Sequence, residues 1–237
     1  MKKNKKQYNK SLIICISTFL IVSIIVYFFI NYNSKDFKNI KQEKSNYLVY
    51  TKETKQSGNY IQKIPYINIK GENISIINND INNYLSNFKN NNTSIDYEYS
   101  INGIVLSIII KVEDHSIEVA TTPYFRSYNI NLNTSELLSN EAILNELNIT
   151  EEEVKNKINE KLKYYYKDIS KKEYFDVREC DYECFLMNRE IDKNDLLNNC
   201  EYFIRSGKLV VFKPYIFASF YGEEEYFNSE NYEFIIN

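Results

Sequence analysis

The stretch that decides the fold is residues 94–112, SIDYEYSINGIVLSIIIKV. Ile95, Tyr97, Tyr99 and Ile101 alternate with polar residues, the period of a half-buried strand. Ile104 to Val112 run almost without interruption as apolar sequence and predict a second strand buried on both faces. Asn102-Gly103 predicts a two-residue hairpin turn between them, because both positions favour positive φ. An antiparallel pair with one half-polar and one wholly apolar strand places the second strand inside a sheet and the first beside it.

The segments on either side extend that sheet and cover it. Upstream, YLVYTKETK (47–55) and NYIQKIPYINIK (59–70) read as two strands with Ser57-Gly58 between them, and Gly71 ends the pattern. Ile74, Ile77, Ile81, Tyr84, Leu85 and Phe88 recur at steps of three and four and predict a helix with one apolar face. Downstream, SIEVATT (116–122) and YFRSYNINL (124–132) read as further strands, with Tyr128, Ile130 and Leu132 on one face. A helix is expected from NTSE at Asn133, with Glu136 three residues on. A second is expected from TEEE at Thr150, a capping box closed by Glu153. The second helix carries Val154, Ile158, Leu162, Tyr165 and Ile169 as one stripe. Residues 170–199 are loosely patterned. EYFIRSGKLVVFKPYIF (201–217) predicts a hairpin turning at Ser206-Gly207, and YEFII (232–236) a last short strand. Strands and helices are grouped rather than alternating, so the expected class is α+β with a mainly antiparallel sheet packed by helices.

The N-terminus places this domain. Five of the first ten residues, MKKNKKQYNK, are lysine, and no charge occurs from Leu12 to Ile30. Such a run rises roughly 28 Å as a helix, close to the ~30 Å of a bilayer core. The lysines on its near side keep that end in the cytoplasm. A cleavable signal peptide fits less well, since no alanine occurs before residue 41. The expected organisation is a basic tail (1–10), a transmembrane helix (11–32), a polar stalk (33–45) and an extracellular α+β domain (46–237). A division of that domain into subdomains at about 46–132 and 133–237 stays open. The expected location is the cell membrane, single-pass, contacting the lipid bilayer through residues 11–32.

The chain has 29 basic and 32 acidic residues. Five of the basic ones lie in the tail, leaving 24 against 32 outside it, a net of −8. An acidic domain argues against nucleic acid as a partner and suits a cationic one. Heavy use of Asn, Ile, Lys and Tyr is most simply the mark of an AT-rich genome. Cys180, Cys184 and Cys200 lie in the outer part, so one internal disulfide is available, Cys200 with Cys180 or Cys184. No metal site is expected from three cysteines and one distant histidine, His115. No nucleophile elbow, P-loop, dinucleotide fingerprint or metalloprotease helix occurs. His115, in EDHS, reads as part of a polar turn between strands. A carboxylate-dependent wall hydrolase would draw on acids such as Asp176, Glu179, Glu223, Glu224 and Glu225. Their number on solvated faces gives no pair to single out, so the chain is read as non-enzymatic and without cofactor.

IPYINIKGENISIINNDINNYL (64–85), YEYSINGIVLSIII (97–110), YNINLNTSELLSNEAIL (128–144) and GKLVVFKPYIFASFYGEEEYF (207–227) follow a single span in that order. The succession resembles the extracellular domain family of sigma-V-type, lysozyme-sensing anti-sigma factors, which also forms the non-catalytic N-terminal part of some peptidoglycan deacetylases. The resemblance covers roughly residues 46–236. Tyr215, Ala218, Phe220 and Gly222 match its closing motif. Ile216 stands where the family has an acid and Ser219 where it has proline. The resemblance implies an anchored binding domain of a Gram-positive-type envelope, for a lysozyme-like cationic protein or for peptidoglycan. Neither an anti-sigma nor a deacetylase part is read in the chain. Pro214, Tyr215, Phe220 and Tyr221 are the candidate ligand-binding aromatic loop, with Val211, Phe212, Tyr215 and Phe217 as the competing core assignment. A structural or accessory subunit of an envelope complex is the alternative.

Overall fold

The computed structural model describes residues 47–57, 59–88, 92–115, 123–169, 181–215 and 232–236. The basic tail, the apolar run of 11–32 and the stalk lie outside them. Among the described residues no helix is long and apolar enough to cross a membrane. Residues 41–237 form one compact unit.

The class is α+β, with a mainly antiparallel six-stranded sheet in the order β1 (Val49–Ser57), β2 (Tyr60–Ile67), β3 (Thr93–Asn102), β4 (Val105–Asp114), β5 (Pro123–Asn131) and β6 (Glu136–Leu137). All neighbours are antiparallel except β2 and β3, which run parallel and register at Gln62 and Ile95. Helix α1 (Glu72–Ser86) makes that crossover. It buries Ile74, Ile77, Ile81 and Leu85, the stripe expected from their spacing. Each such side chain taken from water contributes about 1.5–3 kcal/mol.

β4 is central and buried on both faces, as its apolar run requires. The β3–β4 loop is Gly103-Ile104 rather than Asn102-Gly103, since Asn102 pairs with Val105. Gly103 takes φ +54° at the first loop position, which glycine tolerates without strain. The register is held from the next strand, where the Leu132 amide donates to the Ile104 carbonyl at 2.7 Å. The face alternation of β3 survives this one-residue shift. The later hairpin does turn at Ser206-Gly207, both with positive φ.

The second sheet has the order β7 (Glu201–Arg205), β8 (Lys208–Phe212) and β9 (Glu233–Ile236). Helices α2 (Asn140–Leu147), α3 (Glu151–Ile169) and α4 (Tyr182–Asn188) share one apolar core with it. The capping box of α3 is formed as expected. The Glu153 amide donates to Thr150 Oγ1 at 3.2 Å, and Glu153 Oε2 accepts from the Thr150 amide at 2.6 Å. Its stripe of Val154, Ile158 and Leu162 is buried. The preceding helix starts later than the sequence suggests. Glu136 and Leu137 add β6 to the sheet, and Ser139 caps α2 by accepting from the Ala142 amide. α4 was not visible in its loosely patterned surroundings. Asp181 caps it by accepting from the Cys184 amide.

β7 crosses the face of β3, β4 and β5 with its free edge turned onto that face. The edge is satisfied by side chains rather than by another strand. Ser107 Oγ accepts from the Ile204 amide at 2.9 Å, and Asn129 Nδ2 donates to the Tyr202 carbonyl at 2.8 Å. Ser100 Oγ donates to the Ile204 carbonyl, and Ser107 donates to Asn129 Oδ1. Ser107 and Asn129 are buried, and an orphaned backbone group there would cost about 1–3 kcal/mol. These four contacts explain polar residues in the middle of apolar strands.

Candidate functional site

Beyond the end of β7, no described strand or helix crosses the β2–β4 part of the same face. An open cleft of about 440 Å³ lies there, lined by Asn59, Ile61, Lys63, Ser94, Asp96, Lys111 and Glu113. The pairing builds it. Ser94 faces Glu113 and Asp96 faces Lys111 across β3 and β4, and polar side chains two residues apart share one face. Glu98 and Ser100, on the same face, meet β7 instead.

Lys111, one of the lining residues, belongs to an ion cluster joining both sheets. Arg205 grips Glu98 with both ends of its fork, at 2.6 and 2.7 Å, and reaches Glu233 at 2.8 Å. Lys111 Nζ bonds Glu233 at 2.9 Å and sits 5.0 Å from the Phe212 ring centre. Burial alone would push the Glu233 carboxyl up. The hydrogen bonds and charges of Arg205 and Lys111 outweigh it and hold the group below the usual carboxylate range. A depressed folded value means that fewer protons are bound folded than unfolded. The stability is present above the ordinary value of 4.5 and is lost as pH falls below it. Glu233→Gln is therefore expected to lower stability at pH 7. The gap from wild type should close in acid, read by urea unfolding at pH 7 and pH 3. A gap that stays constant with pH would exclude this origin.

Glu113 behaves in the opposite sense. Burial pushes its carboxyl up and Asp96 adds to this, while His115 and Lys111 pull it down. Here the folded state binds the proton more tightly, so stability is lost as pH rises from 4.5 through the raised value. Glu113→Gln should consequently raise the melting temperature at pH 7 and leave it unchanged in acid. A lower melting temperature at pH 7 would contradict the assignment.

His115 follows β4 directly. Its ring stacks on Tyr60 with centroids 4.7 Å apart, and its amide donates to the Asn92 carbonyl at 2.8 Å. Nε2 lies 3.4 Å from Ser94 Oγ and 3.6 Å from Glu113 Oε2. A serine–histidine–acid relay needs the acid on the other ring nitrogen. Here both groups approach Nε2, so this arrangement ties two hairpins together and does not form a relay.

The candidate aromatic loop is placed in part. Tyr215 is 4 % exposed and packs on Tyr232 with centroids 4.8 Å apart, the setting of the competing core assignment. Its burial follows from the sheet: the Lys213 amide donates to the Tyr232 carbonyl at 3.1 Å, which extends the β8–β9 pairing and draws the chain inward. Val211 and Phe212 are buried with it. Pro214 is half-buried. Phe217, Phe220 and Tyr221 lie outside the described residues, as do Asp176, Glu179, Glu223, Glu224 and Glu225. Cys200 does not form the expected bridge. It is a free, buried thiol that donates to the Leu196 carbonyl. Burial pushes its titration up to about 11. Cys184 is disulfide-bonded; Cys180 lies outside the described residues. The cleft residues were visible in the sequence only as the polar half of an alternation, the pattern of a solvated face.

No protein-family model matches the chain, and no curated protein matches it.

Proposed function

We propose that the chain is a membrane-anchored, extracellular, non-catalytic binding domain for a cell-envelope ligand, either a lysozyme-like cationic protein or peptidoglycan. The uncharged run of residues 12–30 behind a lysine-rich tail supports the anchor and its direction. The resemblance of the motif order to the lysozyme-sensing and deacetylase-associated domains supports the ligand class. The single observation that carries a binding role is the open cleft on β2–β4. It has mixed charge and a half-buried carboxylate at Glu113, with lining Lys111 held in an ion cluster and Glu113 beside the stacked His115. Sites on rigid strands hold polar groups ready without an ordering cost. The acidic balance outside the tail favours the cationic protein of the two ligands.

Calorimetric titration of the full-length protein in detergent micelles tests this. Lysozyme is added at two salt concentrations, with soluble peptidoglycan fragments in parallel. Saturable lysozyme binding that weakens with salt is expected. Binding to peptidoglycan alone would move the role to wall attachment. Binding to neither, with a membrane protein co-purifying, would replace the reading with an accessory subunit of an envelope complex.

A further inference from the structure

We propose that the cleft on β2–β4 receives one cationic side chain of a partner, a guanidinium or an ammonium group, with Glu113 as its main counter-ion and Asp96 as its second. This rests on the binding role proposed above and names the group that the site would recognise. The register places the two carboxylates as diagonal neighbours on one face, since Glu113 lies opposite Ser94 and Asp96 opposite Lys111. Diagonal positions are roughly 7–8 Å apart, a gap that one planar guanidinium can bridge.

The charges already in the cleft are unequally committed. Lys111 is drawn to Glu233 and over the Phe212 ring. Lys63 holds Asp96 at 3.2 Å, but both side chains are exposed. Such an exposed pair contributes little, so an incoming cation displaces Lys63 at little cost. Among the described residues Glu113 is in no ion pair with a lysine or arginine. Its one charged-group contact is His115, at 3.6 Å, which is an ion pair only when the ring is protonated. Lys111 acts on Glu113 only from across the cleft, without a direct ion pair, so this half-buried carboxylate gains from a cation that touches it and also excludes water. The upward push of burial on Glu113 is the same cost seen in its titration. Ile61, 44 % exposed, offers apolar surface to the stem of an arginine or lysine. The acid excess outside the tail would guide such a partner in.

The test uses the full-length protein in micelles and N-acetyl-arginine amide as probe, with N-acetyl-citrulline amide as the neutral control of the same shape. Amide chemical shifts of Ser94, Glu113 and His115 are followed during titration. Saturable shifts with the arginine probe and none with citrulline are expected. Glu113→Gln should weaken binding at least fivefold and Asp96→Asn about twofold, while Glu72→Gln on α1 should leave it unchanged. Glu113→Gln is expected to be at least as stable as wild type, so lost binding would not be lost folding. Equal shifts with citrulline, or arginine binding unchanged in Glu113→Gln, would overturn the proposal. Lysozyme titrated onto the same proteins separates the two readings. Equal lysozyme affinity of wild type and Glu113→Gln would defeat the Glu113 site and leave the envelope role standing. Arginine binding that depends on Glu113, with no lysozyme or peptidoglycan binding, would defeat the envelope role and leave the site standing.

Discussion

Asn78→Leu is expected to destabilise the protein by about 2–6 kcal/mol, because it orphans two buried backbone groups at about 1–3 kcal/mol each. Asn78 is buried on α1. Its Oδ1 accepts from the Ile67 amide at 2.9 Å, and its Nδ2 donates to the Ile67 carbonyl at 2.9 Å. β2 and β3 are in register at Gln62 and Ile95, and further along β2 the crossover helix lies beside the strand. The Asn78 amide then does for Ile67 what a neighbouring strand would do. Leucine fills the same volume but neither donates nor accepts. Ile67 is 0 % exposed, so water is not at hand to replace the lost bonds.

Urea unfolding measures the effect as a fall in midpoint at constant slope. A loss below about 0.5 kcal/mol, the ordinary range for a surface change, would show that Ile67 finds other partners. Asn78→Asp sharpens the test. An ionised carboxylate still accepts from the Ile67 amide but repels the Ile67 carbonyl. A protonated one can donate as the amide did. Its deficit against wild type should therefore shrink as pH falls, whereas the deficit of Asn78→Leu should not.

Asn78 also marks where the sequence stops being readable. Its helix was legible from the Ile74, Ile77, Ile81 and Leu85 period, because burying an apolar stripe is a local property of spacing. The same holds for the unbroken β4, the Thr150–Glu153 capping box and the Ser206-Gly207 turn. What Asn78, Ser107 and Asn129 do was not legible. Each satisfies backbone of another element, the preceding strand for Asn78 and a strand 97 or 73 residues on for Ser107 and Asn129, and an asparagine in an Asn-rich chain carries no mark of it. The one-residue shift of the β3–β4 loop has a similar origin, since Leu132 helps to set it from another strand. The cleft was hidden for a third reason. Ser94, Asp96, Glu98 and Ser100 form one polar alternation, yet β7 covers only its second half. A one-dimensional pattern says that a face is polar; the length of the strand crossing it decides which part stays open. The cysteines follow the same logic. Three thiols allow several pairings, and only the packing that buries Cys200 beside Leu196 removes it from the choice.

Tyr215→Ala is expected to cost about 3–5 kcal/mol, the range for removing a large buried aromatic. Tyr215 begins a run of contacting rings through the core. It meets Tyr232 at 4.8 Å, Tyr232 meets Phe125 at 5.9 Å, Phe125 meets Phe212 at 5.0 Å, and Phe212 meets Phe203 at 6.3 Å. The run ties β5 of the large sheet to β7 and β8 of the small one. A void at one end therefore loosens the contact between sheets as well as one side chain. Ligand binding by Tyr215→Ala would fall simply because less protein is folded, so that variant alone cannot report a contact. Tyr215→Leu keeps much of the apolar volume and should lose less stability. Under the proposed function, its lysozyme affinity, measured where unfolding curves show it fully folded, should equal that of wild type. Affinity reduced severalfold in that folded variant would return Tyr215 to the binding surface. Pro214→Ala is the counterpart, since the half-buried Pro214 sits next in the chain with far less packing to lose. It should leave the midpoint nearly unchanged, so any loss of affinity there would be a contact rather than a fold effect.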